Sequence, residues 1–226
     1  MKILIIEDEP SLMEIITKFL ERERYVVESA ATFSEAVQKI SDYDYDCILL
    51  DIMLPDGNGL DILKKLKELR KSGNIIIISA KDSIDDKVAG LEFGADDYLA
   101  KPFHLSELNA RIKSVIRRKH NNGEINPTLG NITIVPGSYE VFANGRPIDL
   151  NRKEYDILNY FASRPNILVD KYVMAEAVWG DHIDQADNFD FIYAQIKNLR
   201  KKMREAGADI EIKAVYGFGY KLITPR

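Results

Sequence analysis

Several things are scarce in this 226-residue sequence, and each scarcity narrows what it can be. There is one cysteine, Cys47, so no internal disulfide can form, and a reducing, cytoplasmic compartment is the simple expectation. Cys47 sits inside an apolar run and reads as core filler rather than nucleophile. No apolar stretch approaches the ~18 residues of a membrane span. The first residues run directly into a strand-like segment, Lys2-Ile3-Leu4-Ile5-Ile6, and so read as lacking a signal peptide. Internal repeats and low-complexity tracts are missing, and so is any overall excess of positive charge. The formal charge is −5, with 18 basic and 22 acidic side chains in residues 1–120 and 13 and 14 in residues 121–226. That balance argues against nucleic-acid binding by bulk electrostatics. Locally, though, Lys197, Arg200, Lys201, Lys202 and Arg204 crowd five cations into eight positions.

What is present is ordinary for a soluble globular protein: 46% apolar and 30% charged residues, in a length that suits two domains of about 100 to 120 residues each. The first half alternates strand and helix. Strands are expected at 2–7, 25–30, 46–51, 74–79 and 97–100, and helices at 10–23, 34–41, 59–70, 85–93 and 105–119. Five such units predict an α/β doubly wound domain with a five-stranded parallel sheet. Short Ile-rich runs bounded by polar turns are the mark of strands buried on both faces.

Three of those runs end in polar groups suited to phosphate. Ile3–Ile6 leads into Glu7 and Asp8, Cys47–Leu50 into Asp51, and Ile75–Ile78 into Ser79; a weaker run, Tyr98-Leu99-Ala100, ends in Lys101-Pro102. In parallel sheets the functional crevice lies beyond the carboxyl ends of the strands, so these groups converge. Three acids together call for a hard divalent cation such as Mg²⁺. An aspartate beside such a cation can act as nucleophile toward a phosphoryl group. Alone, each residue has a plainer reading: a carboxylate after a strand is commonly a helix cap, and Lys-Pro a turn. Their joint occurrence at four strand ends favours the phosphate reading.

These segments resemble the receiver domain of bacterial two-component response regulators. The matching residues are Glu7-Asp8, Asp51 with the following Met-Leu-Pro-Asp-Gly-Asn-Gly (53–59), Ser79-Ala80, and Gly94 through Phe103. The resemblance covers residues 1–120 and implies a flavodoxin/CheY-like fold. It implies that Asp51 accepts a phosphoryl group from a phosphohistidine on a sensor histidine kinase. Mg²⁺ would be held by Asp8, Asp51 and the backbone carbonyl of Met53, with Glu7 acting through water. Lys101 would pair with the phosphoryl group, Ser79 would move toward it, and Tyr98 would switch rotamer. Such a domain promotes only its own phosphorylation and slow dephosphorylation, and is not otherwise an enzyme.

A phosphoryl group adds roughly −1.5 to −2 charge, so the surface behind Ser79 and Lys101 must readjust. That surface carries mixed charge, which by pattern alone reads as a solvated face. Regulators of the OmpR/PhoB class dimerise through it by symmetric ion pairs. The resemblance implies Lys87 with Glu107, Asp97 with Arg111 and Asp96 with Arg118, around Ile84, Leu91 and Ala110, giving a homodimer on phosphorylation.

Residues 121–127 read as a linker and 128–226 as an α+β domain. Strands at 132–135 and 139–142 flank turn signals, helices follow near 151–163, 171–178 and 187–206, and a hairpin spans 210–223. In 187–206, Phe189, Ile192, Ile196, Leu199 and Met203 form one apolar stripe. The opposite face presents Asp190, Ala194, Lys197, Asn198 and Lys201, flanked by Tyr193 and Arg204. Such a face suits a major groove, and equally a basic surface helix with no partner.

The stretches Leu150–Leu158, Ala177–Gly180, Ile196–Lys202 and Tyr216–Tyr220 resemble the winged-helix domain of the OmpR/PhoB class. That likeness implies binding to double-stranded promoter DNA through Tyr193, Ala194, Lys197, Asn198, Arg200, Lys201 and, in the wing, Tyr216. It also implies contact with RNA polymerase through the loop from Gly180 to Ala186. Three positions depart from the family. Asp190 stands where an Arg is frequent, Gln195 where a His is frequent, and Tyr216 where the wing often carries an Arg. Weak, salt-dependent binding by a single domain follows, with dimerisation compensating.

Two other functions stay open at this point. A phosphatase of the haloacid dehalogenase kind would place Asp-x-Asp after the first strand, where this sequence has Glu7-Asp8-Glu9. An adaptor whose second domain meets RNA or protein would show no sequence-selective retention of promoter DNA.

Overall fold

The computed structural model describes residues 1–69, 71, 74–81, 83–120, 126–136, 138–180, 183 and 189–225. The chain divides into two compact units, Met1–Lys119 and His120–Arg226. Most of the expected linker and most of the Gly180–Ala186 loop lie outside the described residues.

The first unit runs β1 (Lys2–Ile6), α1 (Pro10–Arg22), β2 (Val26–Ala30), α2 (Phe33–Asp42), β3 (Cys47–Asp51), β4 (Met53–Leu54), β5 (Gly57–Asn58), α3 (Gly59–Glu68), β6 (Asn74–Ser79), α4 (Ile84–Glu92), β7 (Asp97–Ala100) and α5 (Leu105–His120). Its parallel sheet has the order β2-β1-β3-β6-β7. β1, β3 and β6 are buried at every position, as their unbroken apolar runs require. Alternate residues feed two cores: Leu4, Ile6, Ile48, Leu50 and Ile77 face one helical layer, and Ile3, Ile5, Leu49, Ile76 and Ile78 face the other. Each fully buried Ile or Leu contributes roughly 1.5–3 kcal/mol.

Helix starts follow local chemistry. The Thr32 hydroxyl accepts from Glu35 N–H at the start of α2, and the Asn58 side chain accepts from Leu60 N–H at the start of α3. The order reverses between β1 and β3, so the crevice beyond their carboxyl ends is the switch point of the sheet.

The second unit runs β8 (Thr128–Leu129), β9 (Ile132–Val135), β10 (Glu140–Ala143), β11 (Arg146–Pro147), α6 (Arg152–Ala162), β12 (Leu168–Val169), α7 (Lys171–Trp179), α8 (Asp190–Glu205), β13 (Glu211–Val215) and β14 (Gly219–Ile223). A four-stranded antiparallel sheet, β11-β10-β9-β8, leads three helices, and the closing hairpin β13–β14 is joined by β12. This is a winged-helix arrangement. α6 opens with a capping box between Asn151 and Glu154. The apolar stripe of α8 is buried at Ile192, Ile196, Leu199 and Met203, in one core with Leu158, Phe161, Met174 and Leu222. The expected helix 187–206 begins at Asp190 in the structure; residues 187 and 188 lie outside the described residues. No helix of the described residues is long and apolar enough to cross a membrane.

Candidate functional site

Sheet register brings the strand-end groups together. Ile6 pairs with Leu50 and Asp51 with Ile78, so Glu7 and Asp8 emerge beside Asp51. Ligand oxygens of Glu7, Asp8 and Asp51 all lie within 4.8 Å of one another. Asp8 is exposed, whereas Glu7 and Asp51 are 2% and 5% exposed. Ser79 pairs with Ala100, which brings Lys101 across the crevice. The peptide bond from Lys101 to Pro102 is cis.

Lys101 Nζ lies 2.5 Å from Asp51 Oδ2 and 2.7 Å from Glu7 Oε2. Asp51 Oδ1 accepts from Met53 N–H at 2.9 Å. Both oxygens of Asp51 are thus engaged. Burial pushes the Glu7 carboxyl above its ordinary range, Lys101 pulls it partly back, and the Asp51 charge adds to the rise. For Lys101, burial works against the charge, but hydrogen bonds to Asp51 and Glu7 outweigh it and the ammonium is held more firmly than usual. One cation facing three carboxylates leaves an excess of negative charge. The donor set is all oxygen, with one exposed carboxylate, which fits a hard divalent cation.

Ser79 is fully buried, and its Oγ accepts from Lys81 N–H at 3.2 Å. Tyr98 donates to the Lys81 carbonyl at 2.7 Å, and its ring lies inward, 7% exposed. Space for that ring comes from Gly90 on α4, where a Cβ would stand 2.8 Å from Ile77 Cδ1 and 3.1 Å from Tyr98 Cδ2. Lys81 therefore links the hydroxyl at the site to the aromatic beneath α4. Behind the acid, Gly59 starts α3 so close that a Cβ would meet the Asp51 carbonyl oxygen at 2.2 Å.

In the second unit, Tyr193, Ala194, Lys197, Asn198 and Lys201 are exposed along one face of α8. Between β13 and β14 the turn holds Tyr216, 100% exposed, and Phe218, 66% exposed. The outward face is therefore polar and aromatic, with a modest positive charge.

Residues 3–113 match the response regulator receiver domain family, and residues 145–222 match the C-terminal domain of transcriptional regulatory proteins. Response regulator ArlR of Staphylococcus aureus is 38% identical over 219 residues, 97% of this chain and 98% of its own. The chain is a response regulator. It belongs to the OmpR/PhoB, winged-helix class. Among solved structures, the receiver domain of the Francisella response regulator 1452 is 34% identical, covering 52% of this chain and 97% of its own at a TM-score of 0.50. DrrB of Thermotoga maritima, an OmpR/PhoB homologue, is 26% identical over 98% of both chains, with a TM-score of 0.48.

The structure of this response regulator departs from the sequence reading at one of the expected DNA contacts. Arg200, expected among the DNA contacts, turns away from the outer face: its Nε donates to the Ile212 carbonyl at 2.6 Å and its guanidinium lies over the Tyr220 ring. The guanidinium is long enough to reach the neighbouring strand, and that carbonyl lies on its side of the helix. Lys202, from the same basic run, pairs at 2.7 Å with Glu154, which is 1% exposed.

On the α4–β7–α5 face, residues expected to pair between two copies have contacts within the chain. Asp97 and Arg111 pair at 2.9 Å within one chain, and Arg111 also holds Glu107 at 2.8 Å. Hydrogen bonds to Glu107 and then Asp97 raise the Arg111 pKa further. The Asp96 carboxylate accepts from Ile75 N–H, so Arg118 reaches only the Asp96 carbonyl, at 3.4 Å. Lys87 has no ion-pair partner among the described residues. Ile84 and Leu91 are 78% and 46% exposed, and Ala110 is exposed with them.

Sequence reasoning missed Lys81 and Gly59. A Gly after a helix-capping Asn was a visible signal for the second; the first acts through its backbone and leaves no signal in residue type.

Proposed function

We propose that Asp51 is phosphorylated by a sensor histidine kinase and that this drives dimerisation and promoter binding. The observation that carries the reading is the convergence of Lys101 on Asp51 and Glu7 beside the exposed Asp8. An Asp51 carboxylate oxygen attacks the phosphorus of a phosphohistidine, the P–N bond breaks, and the imidazole leaves. Lys101 exchanges its bond to Asp51 for one to a phosphoryl oxygen, where its charge offsets the added negative charge. The chemistry a bound Mg²⁺ supplies is neutralisation of charge on the transferring oxygens; Asp8, Asp51 and the Met53 carbonyl would hold it, with Glu7 acting through water.

Ser79 releases Lys81 N–H to bond the phosphoryl group, and the Tyr98–Lys81 contact passes that change to α4. Dimerisation then uses the face of Ile84, Lys87, Leu91, Asp96, Asp97, Glu107, Ala110, Arg111 and Arg118, with Arg111 exchanging its internal partners for those of a second copy. Tyr193, Ala194, Lys197, Asn198, Lys201 and Tyr216 meet promoter DNA, where RNA polymerase is a further partner, in the cytoplasm. The units at 1–120 and 128–226 act as receiver and effector across a linker at 121–127.

The test is labelling by radioactive acetyl phosphate with Mg²⁺, followed by sedimentation with beryllofluoride and a salt-dependent gel shift on a promoter pool. A hydroxylamine-labile label on wild type and none on Asp51→Asn is expected. An equal label on both proteins would sink the phosphoacceptor assignment, and steady release of phosphate from esters would favour a phosphatase.

A further inference from the structure

One hydrogen bond joins the start of α6 to α8, and its polarity can be deduced. Asn151 Oδ1 accepts from Glu154 N–H at 2.9 Å, while the Glu154 carboxylate accepts from Asn151 N–H at 2.8 Å. A backbone N–H only donates, so the atom of Asn151 facing it is oxygen. The other end of that amide is Nδ2, a donor, and it lies 3.1 Å from the Gln195 side chain. The facing atom of Gln195 is therefore its acceptor, Oε1, and Nε2 is the end left over. Among the described residues Nε2 has no protein partner. The chain of bonds is anchored at its far end, because Lys202 holds the buried Glu154 carboxylate. Gln195 itself is half-buried on the flank of the outer face of α8, between exposed Ala194 and buried Ile196.

We propose that Asn151 is a positioning residue that fixes Gln195 as a hydrogen-bond donor toward DNA, so that Gln195 meets an acceptor on the duplex and does not pair bidentately with adenine. This rests on α8 being the DNA-facing helix. Bidentate adenine recognition by a glutamine presents Oε1 and Nε2 together to one base edge, and here Oε1 is turned toward Asn151, which takes one of its two lone pairs. The acceptor is a phosphate oxygen or a base-edge acceptor such as guanine O6 or N7; the bond is the same, and experiment separates the sources. Asn151 also governs a position where the class frequently has a histidine, so this pair sets a chemistry specific to this chain.

The test uses the full-length protein and a pool of random-sequence duplexes of about 30 base pairs, from which bound members are selected and sequenced. Affinities are then measured on an enriched duplex and an unrelated one. Gln195→Ala is expected to weaken binding about 3- to 10-fold, the loss of one hydrogen bond. Equal weakening on both duplexes assigns a phosphate oxygen. Weakening confined to the enriched duplex, with a guanine preference lost at one position, assigns a base acceptor. Asn151→Asp keeps an oxygen for Glu154 N–H but replaces the Nδ2 donor by an acceptor, so Gln195 must turn over and lose its outward donor.

Part of the Asn151→Asp effect is the added charge, which a double-mutant cycle removes: the loss should shrink several-fold in the Gln195→Ala background. Thermal melts confirm that α6 remains capped, since Asp caps as well as Asn. An Asn151→Asp effect of the same size in both backgrounds would overturn the proposal. So would a preference for adenine over guanine lost in Gln195→Ala, or no effect of Gln195→Ala on either duplex. A wild-type chain that retains no duplex at all overturns the DNA reading itself, and is recognised before any variant is compared.

Discussion

The acidic crevice and the outer face of α8 are both assembled from charged residues, yet they manage charge in opposite ways. In the crevice, carboxylates from two strand ends are forced within 4.8 Å of one another, and one lysine partly compensates them in a largely buried setting. On α8, five cations in sequence become three facing outward, because Arg200 and Lys202 are spent on a strand carbonyl and a buried glutamate. The first region concentrates charge so that a chemical event can change it. The second disperses charge, leaving a face of polar and aromatic side chains.

Asp51→Asn should reduce acetyl-phosphate labelling to background, read by autoradiography; retained label would move the acceptor to Asp8 or Glu7. Next in size is a matched pair on α8. Lys202→Met strands the Glu154 carboxylate and should cost about 2 kcal/mol in urea denaturation, less than a fully enclosed pair because Lys202 is partly exposed. Lys201→Met should change stability by less than ~0.5 kcal/mol. It should instead weaken duplex binding and flatten the log–log salt slope by about 1. If both lysines behaved alike, the division into inward and outward cations would be wrong.

Arg200→Ala comes third, with a loss of about 1 kcal/mol and an unchanged salt slope. A reduced slope would restore Arg200 to the DNA contacts. The smallest effect concerns pH. The Glu7 pKa is raised from 4.5 by burial, so the stability this group confers is full below 4.5 and is lost as pH rises through the raised folded value. In chelator, Glu7→Gln should therefore gain on wild type as pH rises from 4 to 8, read by thermal melts. A gap that narrows with rising pH would contradict the direction.

The crevice was legible because sheet register does most of the placing. Once Ile3–Ile6, Cys47–Leu50 and Ile75–Ile78 are parallel neighbours, Glu7, Asp51 and Ser79 must share an edge. Two-residue strands such as β4, β5, β8, β11 and β12 left no mark, because so short a pairing has no periodicity to read. β4 and β5 pair with each other, β8 and β11 pair with the adjacent β9 and β10, and β12 alone of the five takes a distant partner, β14. The apolar stripe of α8 was equally plain, since spacing alone fixes which face is buried. What spacing does not show is where a long side chain bends once the helix is docked. Arg200 was placed among the DNA contacts for that reason, and Lys202 was counted only as part of the local basic run. The ion pairs around Arg111 were readable as complementary charges, but composition carries no information on whether partners belong to the same copy.

Gly59 contributes no functional group, yet it bounds the crevice from behind. A single added carbon there would stand 2.2 Å from the Asp51 carbonyl oxygen and 2.8 Å from Ile52 Cα. The backbone of the acid thus rests against the first turn of α3 as against a backstop, with no slack behind it. If a phosphoryl group is added to the carboxylate as proposed, movement of the Asp51 backbone toward α3 is opposed by this close approach. Displacement must be taken up on the other side, where Ser79, Lys81 and Lys101 sit. A residue without a side chain in this way gives the crevice its direction of give.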